Sequence, residues 1–115
     1  MITQKNEAYI FITQFTQCSR LYIQDINYVN IEDRSLKYHM TYGNESTTTI
    51  QTSFKKATPL INHPSFIFLS PALLININNI KTLGRDFVTF DNGDICYFPR
   101  TKYQLIADKI KDISD

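Results

Sequence analysis

The chain has 115 residues, enough for one domain and too few for two of ordinary size. Its 12 Lys and Arg stand against 11 Asp and Glu, leaving a net charge of +1. That balance excludes coating of nucleic acid by bulk attraction but leaves room for a local basic patch. At 43% hydrophobic and 13% aromatic, the composition excludes a disordered chain, and its 7 Tyr and 8 Phe favour sheet over helix.

The opening residues, Met1 to Glu7, form a ragged terminus with no basic run followed by an apolar core, so no secretion signal is expected. From Ala8 the run Tyr-Ile-Phe-Ile-Thr-Gln-Phe-Thr reads as a strand. A polar gap around Cys18-Ser19-Arg20 separates it from a second strand, Leu21 to Gln24. Ile26 to Ile31 is a third, and Glu32-Asp33-Arg34-Ser35 is turn-like. Leu36, Tyr38, Met40 and Tyr42 then alternate with Lys37, His39 and Thr41, the period of a strand with one face in the core. That alternation favours core packing over a platform for stacking bases. Gly43-Asn44 turns the chain, and Thr47 to Thr52 returns as the partner of an antiparallel hairpin.

Ser53 suits the N-cap of a short helix, Phe54 to Ala57, which Pro59 prevents from continuing. Strand character resumes at Phe66 to Leu69 and Leu73 to Ile75, and Asn76 is expected to serve backbone groups at a strand irregularity. The stretch Phe66 to Ile80 is broken by Ser70, Pro71 and three Asn, so it falls short of a membrane span. After Ile80 to Leu83, Gly84-Arg85-Asp86 is a turn. Phe87 to Phe90 and Asp94 to Phe98, joined through Asn92-Gly93, make the clearest hairpin. From Thr101 the period changes, and Leu105, Ile106, Ile110 and Ile113 share a helical stripe. The expected fold is mainly β, built of antiparallel sheets of short strands with a short central helix and a C-terminal helix.

Chemistry is sparsely represented. His39 and His63 lie far from each other and from Cys18 and Cys96, without the paired spacing of a structural zinc site. Two cysteines so far apart suit free thiols in a reducing cytoplasm. No enzyme, metal or cofactor is expected.

One ordered set of residues does point to a function. Phe66-Ile67, then Leu73-Leu74-Ile75-Asn76-Ile77 and Ile80, then Asn92-Gly93, then Arg100 before a closing helix resemble the LytTR DNA-binding domain, the output module of LytR/AlgR-type bacterial response regulators. Asp25-Ile26-x-Tyr28-Val29 resembles that family's early strand, and Ser53-Phe54-Lys55-Lys56 with Pro64-x-Phe66 resembles its central helix and the entry to the next strand. The likeness runs from about residue 8 to 113 in one order and spacing.

The resemblance implies stacked antiparallel sheets whose loops enter the major grooves of double-stranded DNA. It implies base contacts from Arg34, Ser35 and Lys37 before the alternating strand, from the segment at Ser70, and from Arg100. Lys102, Lys81 and Arg85 are candidate phosphate contacts, whereas Lys55 and Lys56 read as a solvated face. Two copies on repeated sites and a regulatory protein partner are further implications; at this length the chain is expected to be a cytoplasmic regulator without the receiver domain most relatives carry. The chain departs from the family where Ser70-Pro71-Ala72 replaces the usual His-Arg-Ser, because Pro offers no donor. Pro99 likewise replaces a frequent Ser and stiffens the approach to Arg100. The alternative is a protein-interaction module or antagonist on the same fold, with specific DNA binding lost.

Overall fold

The computed structural model describes residues 8–14, 17–42, 46–48, 60 and 62–114. The ragged start, the Gly43-Asn44 turn and the expected helix at Ser53 to Ala57, with Lys55 and Lys56, lie outside them. No helix among the described residues is long and apolar enough to cross a membrane.

The described elements are β1 (Tyr9–Gln14), β2 (Gln17–Tyr22), β3 (Ile26–Glu32), β4 (Ser35–Met40), β5 (Ser46–Thr48), β6 (Phe66–Ser70), β7 (Leu73–Asn76), β8 (Ile80–Leu83), β9 (Phe87–Phe90) and β10 (Ile95–Tyr97), then a C-terminal helix, Tyr103–Ser114. They form a two-stranded hairpin, β1-β2, a five-stranded sheet in the order β5-β4-β3-β7-β6, and a three-stranded sheet in the order β10-β9-β8. All pairings are antiparallel. The fold is mainly β, as its composition predicts.

The five-stranded sheet is the middle layer. Val29, Leu36, Tyr38, Met40, Phe66 and Leu74 form one core with Ile10, Ile12 and Leu21 of the β1-β2 hairpin and Ile23 just after it. Leu69 and Ile75, with Tyr28 and Ile67 packed alongside, form a second core with Val88, Phe90, Cys96, Phe98 and Ile106. Strands β6 and β7 therefore contribute residues to both cores, which explains their near-continuous apolar runs. In β4 the residues between Leu36, Tyr38 and Met40 are only half-buried, which explains its clean alternation.

Several boundaries differ from those read in the sequence. Cys18, Ser19 and Arg20 are not a gap but the body of β2, paired with Thr13, Ile12 and Phe11. Ile23–Asp25 is a 3-10 turn rather than strand. The alternation ends at Met40: Thr41 N–H donates to Asp25 O at 2.8 Å, the chain bends, and Tyr42 is left 59% exposed. On the C-terminal helix Ile106 is buried and Ile110 packs beside it, while Leu105 and Ile113 face solvent.

Asn76 performs the structural role expected of it. Its side chain is 1% exposed. Nδ2 donates to Ile26 O at 2.9 Å and Ile23 O at 3.4 Å, while Oδ1 accepts from Asn78 N–H at 3.1 Å. It thereby joins the end of β7 to the turn before β3 and caps the 3-10 turn Ile77–Asn79.

Candidate nucleic-acid interface

The candidate side chains occupy two strand-end tips and one separate site. The first tip combines the β3-β4 and β6-β7 turns. Residues 33 and 34 alone connect Glu32 to its partner Ser35, and both have positive φ, 51° for Asp33 and 64° for Arg34. This is the geometry of a two-residue hairpin turn whose twist suits antiparallel strands, normally built from Asn and Gly. Asn30 pairs with Leu73, and Ile31 N–H donates to Ala72 O at 3.0 Å. That register sets the Asp33-Arg34 turn beside Pro71-Ala72, so Arg34, Ser35 and Ser70 share one end of the sheet.

Two members of this tip already have partners. Lys37 Nζ lies 3.5 Å from Glu32 Oε2. Ser70 Oγ accepts from Ala72 N–H at 3.2 Å, closing its own turn. Leu36, within the expected contact loop, is fully buried in β4 and belongs to the core. Arg34 is exposed, with Glu32 and Asp33 as its neighbours in the chain.

The second tip lies at one end of the three-stranded sheet. Tyr97 pairs with Phe87, and Phe98 N–H donates to Asp86 O at 2.9 Å, so the segment leaving β10 runs beside the β8-β9 turn. Arg100 and Arg85 are brought to the same end, and both are exposed. Pro99 is extended (φ −64°, ψ 140°), and its carbonyl accepts from Lys102 N–H at 2.9 Å, which forms the 3-10 turn Arg100–Lys102 ahead of the helix. Gly84 packs against Phe87, and a Cβ there would force that ring to shift. Among the described residues the Lys37–Glu32 contact is the only ion pair, so Arg85, Arg100 and Lys102 are not neutralised by a carboxylate. Asp86 is the one acidic residue of this turn. The second tip is the more electropositive.

Lys81 is separate. It sits near the start of β8, at the irregularity between Ile80 and Thr82, about 13 Å of extended chain from Arg85. It lines a cleft with Asn27, Thr41 and Asp91, against the opposite end of β3 from Arg34.

What holds the tips in relation is a junction that the sequence did not reveal. Tyr28 stacks on His39 at 4.0 Å and on Phe90 at 5.4 Å, and its hydroxyl donates to Asp94 Oδ2 at 3.0 Å. Asn92 Nδ2 donates to Asp94 Oδ2 at 3.2 Å and Met40 O at 3.4 Å. The β9-β10 turn is thereby fastened to the end of β4, and both tips point along strands leading away from it. Burial, then Cys96 and Asp94, raise the Tyr28 phenol, which stays protonated as the donor. Asn92-Gly93 signalled only a turn, with Gly93 at φ 95°. Nothing in the spacing of Tyr28 and Asp94 announced their contact.

A family model described as the LytTr DNA-binding domain matches residues 16–111. The chain belongs to the LytTR family. A solved LytTr DNA-binding domain, from a Bacillus cereus response regulator, shares the fold at a TM-score of 0.68 and 16% identity, covering 92% of this chain and 98% of its own. No curated protein matches the chain. The LytTR match spans every candidate residue from Arg34 to Lys102, whereas β1 lies ahead of it.

Proposed function

We propose that this LytTR chain binds double-stranded DNA in a sequence-specific manner and regulates transcription, with its second tip as the principal reader. The observation that carries this reading is the grouping of Arg100, Lys102 and Arg85 at one sheet end without carboxylate partners among the described residues. An Arg fork matches guanine O6 and N7 together, and such a contact discriminates by about 1–3 kcal/mol. Lys102 and Arg85 supply charge to phosphates, which positions the protein without reading sequence. Arg34 and Ser35 reach from the first tip towards backbone or base. Lys37 joins them in competition with Glu32, whereas Ser70, whose Oγ accepts from Ala72 N–H, keeps its O–H to donate. Lys81 is left out of this surface. Repeated sites would place two copies on one promoter.

Fluorescence anisotropy against fragments of the upstream region tests this. Affinity should fall linearly with salt on a log–log scale. Arg100→Ala should flatten preference at one base pair, while Lys102→Ala should weaken all sequences equally and reduce the salt slope by about 1. Equal, sequence-independent losses from both variants would remove Arg100 as the reader. No binding at low salt would favour a protein-interaction module, a reading supported by the pairing of Lys37 with Glu32.

A further inference from the structure

The cleft at Lys81 has a volume of about 270 Å³. That is slightly below the range of about 300–1,000 Å³ typical of drug-sized ligands, so it suits a small metabolite rather than a nucleotide. Its walls come from both larger sheets: Asn27 and Thr41 from the ends of β3 and β4, and Ile80, Lys81 and Asp91 from β8 and the turn after β9. Asn79 lies between them. Its Nδ2 is spent on Gln24 O at 2.9 Å, Asn27 Oδ1 at 3.2 Å and Ile26 O at 3.3 Å, leaving its Oδ1 as an acceptor without a partner among the described residues.

The charges define what the cleft would take. Lys81 and Asp91 both line it, yet neither has an ion-pair partner among the described residues, each other included. The strand irregularity between Ile80 and Thr82 adjoins Lys81, and such bulges redirect side chains. A phosphate backbone would meet the Asp91 carboxylate, and a simple cation would meet the Lys81 ammonium. A ligand bearing both charges satisfies both groups. We propose that this cleft binds a small zwitterion of the amino-acid class, its carboxylate on Lys81 Nζ and its ammonium on Asp91 and the free acceptor of Asn79. The site is independent of the DNA-binding reading and is tested without DNA.

The test is titration of the full chain, followed by two-dimensional amide NMR, with glycine, β-alanine and 4-aminobutyrate, and with acetate and methylammonium as single-charge controls. Saturable shifts centred on Asn27, Thr41, Asn79 and Asp91 are expected for at least one zwitterion at millimolar concentration, with both controls at least about tenfold weaker. Lys81→Gln and Asp91→Asn, conservative changes at exposed positions, should each weaken binding by about tenfold or more while leaving distant resonances in place. Absence of saturable shifts with all three zwitterions, equal binding of a single-charge control, or binding unchanged in both variants would overturn the proposal. None of these outcomes bears on Arg100.

Discussion

Arg34 supports a prediction in which stability and function move in opposite directions. Its φ of 64° lies in the left-handed region, where a residue with a Cβ is disfavoured by about 1–2 kcal/mol. Glycine removes that penalty but gives the unfolded chain extra freedom worth about 0.5–1 kcal/mol. Arg34 is exposed, and its side chain makes no hydrogen bond or ion pair with the described residues, so its removal breaks none of their contacts. The balance predicts that Arg34→Gly stabilises the fold by about 0.5–1 kcal/mol. Urea denaturation followed by circular dichroism reads this as a higher midpoint at unchanged slope, and anisotropy on the same samples reads DNA affinity. Stability should rise while affinity falls and the salt slope shrinks by about 1. A variant that is less stable than the parent would refute the turn geometry. One that is more stable with unchanged affinity would show that the strained residue is not held there for DNA, since strain of this kind is tolerated chiefly where it serves a site.

Three further outcomes follow from the core. Asn76→Ala should cost about 2–4 kcal/mol, because it strips the Asn78 amide and two backbone carbonyls of a buried partner; a loss below about 0.5 kcal/mol in urea denaturation would mean that these contacts are dispensable. Burial, then Asp94, pushes the Cys96 thiol up to about 12, so iodoacetamide at neutral pH should label exposed Cys18 and spare Cys96 until denaturant is added; labelling of both at one rate would show that the second core opens readily. Burial lowers the His39 imidazole below its ordinary value of 6.5, with Lys37 acting in the same direction and Asp94 and Glu32 against it. The folded state therefore binds fewer protons than the unfolded one, so the His39 contribution is complete above about pH 6.5 and is lost as the pH falls through the folded value. Urea midpoints measured across that window should decline with acid, and less so in His39→Gln; parallel declines would assign the effect to other groups.

The legible parts of the fold were those where one local rule decided the outcome. Leu36, Tyr38 and Met40 announced β4 because one face of that strand is buried and the other much less so. Asn92-Gly93 announced its hairpin because Gly93 is needed at positive φ. Cys18-Ser19-Arg20 misled because Cys18 and Arg20 lie on the exposed face of a two-stranded hairpin and the inner position between them is a small Ser, so the run looks like a break. Their partners, Phe11 to Thr13, are set by long-range pairing rather than by composition. Tyr42 misled because the bond from Thr41 to Asp25, which ends the strand, joins residues 16 apart. At the candidate interface the residue types were readable and their partners were not. The Lys37–Glu32 pair and the internal bond of Ser70 depend on turn geometry, and the displacement of Lys81 from Arg85 depends on which end of β8 each occupies.

If the two tips bind DNA as proposed, the Tyr28 junction constrains the site they read. By wedging one ring between His39 and Phe90 and fastening its hydroxyl to Asp94, the protein sets its two projecting ends like the jaws of a calliper rather than fingers on a hinge. A rigid gauge tolerates little change of pitch. On the proposed DNA-binding reading, one base pair inserted between the steps assigned to the two ends would carry the farther step about 3.4 Å along the duplex axis and rotate it about that axis, out of reach of a jaw that cannot follow.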